Sequence, residues 1–258
     1  MSDKNKSVAE HIDDRNSWYV GEQKEQLADS GTREIVERRW EIIEHVIIKK
    51  NRSLKDRTKI RVLDAGCGDG NNLFGLKKIA KKLNLELSLF AIDYNPLRIK
   101  RVVGNKLSEN ICCASLLQLP FQEQLFDVII CNHVLEHIPE FMEALGELHR
   151  VLKKDGLLLL GVPNEGCFLG RLRNNYIQRS ILRHTDHVNF FNSNTLVARA
   201  VESGFKVDKL FRFGFFTPYT YLHMMLMKIG FLRRLLFYIG EVFPSQCGDL
   251  QLMLLREK

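Results

Sequence analysis

The chain has 258 residues, of which 45% are hydrophobic and 27% charged, with a formal net charge of +7 and a pI near 9.1. That is the composition of a globular protein long enough to bury a sizeable core in one large domain, and it lies away from the extremes that mark other classes. The basic balance permits an anionic partner, and a solvated basic surface accounts for it equally well.

The first residues, 1–16, are polar, with no apolar leader, so no signal peptide is expected. Residues 17–50 read as helical, with Ile35, Trp40, Ile43, Val46 and Ile47 near one face. Trp18 and Tyr19 upstream suit either a packing anchor or a flap over a ligand. Residues 51–58 form a charged linker, which divides the chain into an N-terminal helical extension, 1–58, and a main domain, 59–258.

The main domain opens on a strand, Lys59 to Leu63, that runs into Asp64-Ala65-Gly66-Cys67-Gly68-Asp69-Gly70. A helix follows, with Leu73, Leu76, Ile79, Ala80 and Leu83 on one face. Glycines in such a turn let a ligand approach the backbone, and the helix that follows aims its free N–H groups at it. A second strand, Leu87 to Asp93, ends on a carboxylate suited to the two hydroxyls of a ribose. The glycine spacing is not that of a dinucleotide fold. Asp64 would repel a pyrophosphate and suits a zwitterionic or cationic tail, which argues against a nicotinamide dehydrogenase.

Asn95-Pro96 then starts a helix, and residues 111–115 read as a short third strand. Phe126 to Asn132 is a buried fourth strand, followed at once by His133-Val134-Leu135-Glu136-His137. A helix from Phe141 ends near Lys153-Lys154, with Asp155-Gly156 as its stop, and Leu157 to Val162 is a fifth strand. Residues 166–192 are irregular and rich in arginine and histidine. Ser193 or Asn194 caps the next helix, Phe205 to Arg212 is a strand, and Leu250 to Leu255 is the last one. Between them, Phe213 to Met227 carries no formal charge. It falls short of the about 20 residues that span a bilayer, and it suits a substrate cap, an interfacial membrane helix or core. Apolar strands alternating with amphipathic helices predict an α/β fold with a mostly parallel sheet covered on both faces.

The cysteines (Cys67, Cys112, Cys113, Cys131, Cys167 and Cys247) form no C-x-x-C pair, and several lie in strand-like runs. They read as reduced core thiols of a cytoplasmic protein, with no metal site expected.

The ordered motifs LDAGCGDG, AIDYNP, LPF, FDVIICNHVLEHI and ELHRVLKKDGLLLLGVPN resemble those of class I S-adenosylmethionine (SAM) methyltransferases of the small-molecule type, over about residues 60–165 and more loosely to 212. The resemblance implies a Rossmann-like seven-stranded sheet with one antiparallel strand near the C-terminus, and the segments 166–192 and 213–248 read as cap insertions in that domain. It also implies SAM as cofactor, with S-adenosylhomocysteine as product. Asp64, Ala65, Gly66, Cys67 and Gly68 would then lie along the methionine part, Asp93 at the ribose and Tyr94 beside the adenine. Ser115 stands where an acid often meets the adenine amino group, with Leu116 next to it, and Asn132 would face the methyl group.

Methyl transfer to oxygen needs a base, so His133, His137 and His187 are the catalytic candidates. His137 also suits a capping or packing role, and Glu136 and Glu165 read as solvated or capping. Arg171, Arg173, Arg179 and Arg183 could hold a phosphate or carboxylate of the acceptor, or line a solvated loop. A small molecule, or a glycan or lipid precursor, is the expected acceptor. Nucleic acid is not favoured, since no RNA-binding module is visible. Peripheral membrane contact would run through 213–240. The alternatives are an RNA or protein methyltransferase, and a SAM-binding regulatory or scaffold protein without turnover.

Overall fold

A computed structural model of the chain describes residues 30–54 and 59–257. The segment 1–16, the Trp18–Tyr19 pair and residues 55–58 lie outside the described residues. Helix α1 (Ser30–Ser53) precedes strand β1 (Ile60–Ala65), α2 (Asn71–Leu83), β2 (Leu87–Asp93), α3 (Pro96–Gly104) and β3 (Asn110–Cys113). Next come β4 (Phe126–Asn132), a 3-10 turn (Leu135–His137), α4 (Phe141–Val151) and β5 (Leu152–Pro163). Short helical pieces follow, among them α5 (Phe168–Leu172) and α6 (Leu182–Thr185), then α7 (Ser193–Glu202) and β6 (Phe205–Phe213). Two helices, α8 (Thr220–Lys228) and α9 (Gly230–Val242), lead to β7 (Asp249–Arg256).

The strands form one seven-stranded sheet in the order β3-β2-β1-β4-β5-β7-β6. Strand β7 runs antiparallel to both β5 and β6, and the other pairings are parallel. The strand order turns back between β1 and β4, and the crevice beyond their carboxyl ends is where open α/β sheets take ligands. Side-chain alternation assigns the two faces. Val62, Val128, Ile130 and Leu159 meet Ile43, Val46 and Ile47 of α1 and Leu76 and Ile79 of α2. Leu63, Ile129, Leu158 and Leu160 meet Leu145 and Leu148 of α4 and Leu196 of α7.

Local expectations are corrected in three places. Helix α1 continues to Ser53, because Lys50 is buried and its Nζ reaches Asp155 Oδ2 at 2.7 Å and the Asp155 carbonyl at 2.9 Å. Lys153 to Gly156 belong to strand β5, whose pairing with β4 shifts register there, while Lys153 Nζ lies 2.7 Å from Asp127 Oδ1. The cap of α7 is Asn192, whose side chain accepts from Thr195 N–H while the Thr195 hydroxyl accepts from Asn192 N–H, a capping box.

The segment from Phe213 to Val242, which runs past the uncharged stretch, divides its roles. Met227, Leu236 and Phe237 are buried against the sheet, while Tyr221, Leu222, Met224, Met225, Phe231 and Tyr238 are exposed. No helix among the described residues is long and apolar enough to cross a membrane. Helix α9 lies so close to the end of β6 that a Cβ on Gly240 would overlap the Gly214 carbonyl. Gly240→Ala is expected to lower stability by about 1–3 kcal/mol, as overpacking does, read as a drop in the urea midpoint without a change in slope.

Candidate active site

The loop after β1 needs its glycines. Gly66, Gly68 and Gly70 take φ values of 81°, 54° and 90°, a region that side chains adopt at a cost. A Cβ on Gly66 would also overlap Val134, in the loop after β4. The loop is tied to β2: Gly66 N–H and Cys67 N–H donate to the Ile92 carbonyl at 2.9 and 2.8 Å. Gly68 N–H donates to Asp93 Oδ2 and Asn95 N–H to Asp93 Oδ1, both at 2.8 Å. Burial pushes the Asp93 carboxyl above its usual range, against the pull of those two donors.

Asp64 is buried one step inside this loop. Its Oδ1 accepts from Asn72 Nδ2 at 3.0 Å, and its Oδ2 is buried with no hydrogen-bond partner among the described residues. Loss of water pushes its pKa up to about 7, with the Asn72 bond opposing and the Asp93 charge adding. Asn132, at the end of β4, likewise has both amide atoms buried without a partner among the described residues. Orphan acceptors and donors of this kind fit a polar ligand that carries a positive charge near Asp64. Ala65 and Cys67 are buried, and burial raises the Cys67 thiol pKa. Tyr94 is half-buried beside Asp93. Ser115 Oγ accepts from Leu117 N–H at 3.2 Å, and Leu116 is buried.

His133 sits at the turn out of β4 with φ of 55°, strained for a residue with a side chain. Its N–H is held by the Gly161 carbonyl at 2.9 Å. Its Nε2 lies 2.8 Å from Asp249 Oδ2 and 2.6 Å from Arg39 Nη2. Its Nδ1 lies 3.3 Å from Glu136 Oε1. Burial and Arg39 push the His133 pKa down, but Asp249 and Glu136 outweigh them and hold it above its ordinary value. Burial would raise the Asp249 carboxyl, and Arg39 and His133 reverse that to hold it well below the carboxylate range. Both nitrogens of His133 are thus engaged, Nε2 by Asp249 and Arg39 and Nδ1 by Glu136, rather than open to a substrate proton as its position suggested.

A cavity of about 230 Å³ opens beside it, lined by Arg39, His133, Arg173, His223 and Asp249 and by apolar side chains including Phe216 and Phe237. His223, on α8, has its Nδ1 buried with no partner among the described residues, and burial lowers its pKa.

His137 and His187 are not at this cavity. Their rings meet edge to face with centroids 4.8 Å apart. His187 Nδ1 lies 2.8 Å from Glu165 Oε2. Burial and the neighbouring His187 lower the His137 pKa more than Glu136 raises it. Glu136 and Glu165, expected to be solvated or capping, are both buried, because histidines and Arg173 close over them. The arginines do not converge. Arg173 is buried, pairs with Glu165 and stacks over Phe216, Arg171 lines a separate cavity, and Arg179 donates to the Asn175 carbonyl. The side chain of Arg183 is outside the described residues. Arg39, Asp249 and His223 were not legible as site residues, since each stands in an ordinary helix or strand-end context and joins the site only by packing.

A family profile described as a methyltransferase domain matches residues 38–210. The chain belongs to this methyltransferase family. The methyltransferase is 37% identical over 124 residues to an uncharacterized protein of Methanocaldococcus jannaschii, covering 48% of each. It is 24% identical over 176 residues to a ubiquinone biosynthesis O-methyltransferase of Rickettsia canadensis, covering 65% of this chain and 72% of that one. The chain spans about half the length of curated relatives it matches, 48% for those from Methanocaldococcus jannaschii and Mycobacterium tuberculosis. Among solved structures, one from Galdieria sulphuraria, provisionally named a sarcosine dimethylglycine methyltransferase, shares the fold with a TM-score of 0.62 at 16% identity, over 88% of this chain and 87% of that one. A relative from Mycobacterium tuberculosis, 26% identical over 144 residues that cover 56% of this chain and 48% of that one, is named a probable S-adenosylmethionine-dependent methyltransferase, and the orphaned Asp64 Oδ2 and Asn132 amide of this chain fit a ligand with an ammonium and a sulfonium.

The raised Asp64 pKa makes the unliganded protein lose stability as pH rises. The unfolded carboxyl releases its proton near 3.8 and the folded one near 7, so the folded state is progressively disfavoured across that interval. The full effect is on the order of 4 kcal/mol. Asp64→Asn is expected to flatten this part of the stability–pH curve and to stabilise the unliganded protein at pH 8, measured by urea unfolding at several pH values.

Proposed function

We propose that the chain transfers the methyl group of S-adenosylmethionine to an oxygen of a small molecule with an apolar body and an anionic end. The observation that carries this reading is the cavity at the sheet's carboxyl edge, where aromatic side chains share the lining with Arg39, Arg173 and the unclaimed nitrogen of His223.

Bound SAM supplies an electrophilic methyl carbon. On this reading, Asp64 and the backbone from Ala65 to Gly68 hold its amino-acid end. Asp93 accepts from the ribose hydroxyls, Tyr94, Ser115 and Leu116 border the adenine, and Asn132 faces the methyl group. The acceptor's body lies on Phe216 and Phe237, with its anionic end toward Arg39. The apolar roof excludes water and holds the acceptor oxygen in line, about 3–3.5 Å from the carbon.

A base must accept the hydroxyl proton. His133 has both ring nitrogens on charged partners, which leaves it badly placed to take that proton. His223 is the histidine of the cavity with an unclaimed nitrogen, burial favours its neutral form, and its Nδ1 takes the proton. A pKa below the ordinary value keeps it a competent base at mildly acid pH.

Calorimetric titration of SAM and S-adenosylhomocysteine should show binding to wild type and its loss in Asp93→Ala. Methyl-labelled SAM with a panel of phenols and hydroxy acids would then find the acceptor. His223→Gln is expected to lower kcat by about 100-fold or more while leaving SAM affinity unchanged. Retained activity in His223→Gln removes the base assignment. SAM binding with no transfer to any acceptor would favour a binding protein without turnover.

A further inference from the structure

Glu136 is fully buried, and neither carboxylate oxygen has a hydrogen-bond partner among the described residues. The 3.3 Å approach of His133 Nδ1 to Oε1 is an ion-pair contact. A buried carboxylate with one long imidazole contact on one oxygen and none on the other is costly for a fold to hold. Two imidazoles converge on it. One ligand atom from each of Glu136, His137 and His187 lies within 4.8 Å of the others.

The surroundings hold this cluster in place. His187 Nδ1 is taken by Glu165, itself paired with Arg173, which leaves Nε2 as the nitrogen able to ligate an ion. A carboxylate behind a histidine sets its tautomer and raises its basicity, as the outer partners of metal-bound histidines do. The segment carrying His187 is fastened to the turn carrying Glu136. Val188 and Asn189 N–H donate to the Glu136 carbonyl at 2.8 and 3.1 Å. Asn189 Nδ2 donates to the Leu135 and Ile138 carbonyls at 2.9 and 2.6 Å.

We infer that Glu136, His137 and His187 form a binding site for a divalent transition metal ion, zinc in the first instance. Two imidazole nitrogens and one carboxylate oxygen are a zinc donor set, with bonds of about 2.0–2.2 Å. Such bonds put donors about 3–4 Å apart, so the side chains close inward slightly from their present spacing. Three protein ligands leave a position for water or another ligand. The ion neutralises Glu136 and locks the loop after β5 onto the turn after β4. The sequence reading expected no metal, because no paired ligand spacing is visible, and His187 reaches the adjacent Glu136 and His137 through the bonds of Val188 and Asn189.

The site does not depend on the assignment of acceptor or base, and its test reads the ion itself. The full chain, stripped with a chelator, is titrated with Co²⁺ and followed by visible absorption. One equivalent is expected to give ligand-field bands, displaced by one equivalent of Zn²⁺. Glu136→Gln and His187→Gln should abolish the bands, and Glu165→Gln should weaken binding about 10- to 100-fold. S-adenosylhomocysteine binding in each variant reports that the fold is kept. Should Glu136→Gln fail to fold, the half-buried His187 decides. The inference is overturned if wild type binds no Co²⁺, if the bands persist in His187→Gln, or if thiolate charge-transfer bands place the ion on cysteines.

Discussion

A carboxylate taken out of water needs donors or a cation close by, and the carboxyl edge of this sheet holds Asp64, Asp93, Glu136, Glu165 and Asp249, all buried. Each has a different answer. Asp93 takes two backbone N–H groups, and in doing so anchors the glycine loop and starts α3. Asp249 takes Arg39 and His133, which ties α1 and the β4 turn to the start of β7. Glu165 takes Arg173 and His187, which folds the loop after β5 back onto the sheet. The loops of the site are thus ordered by the need to satisfy acids, more than by apolar contact. Asp64 and Glu136 lack a full answer from the described residues, and a cation from outside the chain would complete either one.

How much of this could be read in the sequence follows from range. The alternation of strands and helices was legible from local periodicity, and the seven-stranded sheet with its antiparallel strand followed from the resemblance carried by motifs in fixed order. Gly66, Gly68 and Asp93 were legible for the same reason, since they act within one strand–loop–helix unit. Arg39 was not. It looks like one more charge on the solvent side of α1, and only the docking of that helix brings it to Asp249. Glu136 was misjudged because a charged residue in a turn is usually solvated, whereas here the 187–189 segment covers it. His223 stands among methionines and aromatics, where a histidine gives no signal until the cavity around it is seen.

The same reasoning separates the two histidine groups. His133 has two carboxylates within reach, which raise its pKa against burial and Arg39 and occupy both ring nitrogens. His223 has none among the interactions that shift it, only burial and the Arg173 charge, which lower its pKa. The pKa values of two histidines on one cavity are thereby pushed in opposite directions, and roles divide where environments do this. Arg173 pairs with Glu165 and lends its charge to the lining of the cavity, where it lowers the His223 pKa further.

The roof completes this division. Helices α8 and α9 bury Met227, Leu236 and Phe237 beneath them, so the cavity next to the sheet edge is largely apolar. A charge in such surroundings interacts more strongly than in water, so the opposite pKa shifts of His133 and His223 are sharpened by the same residues that would enclose an acceptor. The outer side of the two helices keeps Tyr221, Met224, Met225 and Phe231 in the open. Folding alone would not require that. The inner face supplies the low-dielectric wall that the chemistry needs, and the contact between Gly240 and the Gly214 carbonyl presses that wall against the end of β6. Cavity shape, histidine charge and roof position are therefore one coupled arrangement, and loosening the roof would relax the pKa separation along with the cavity.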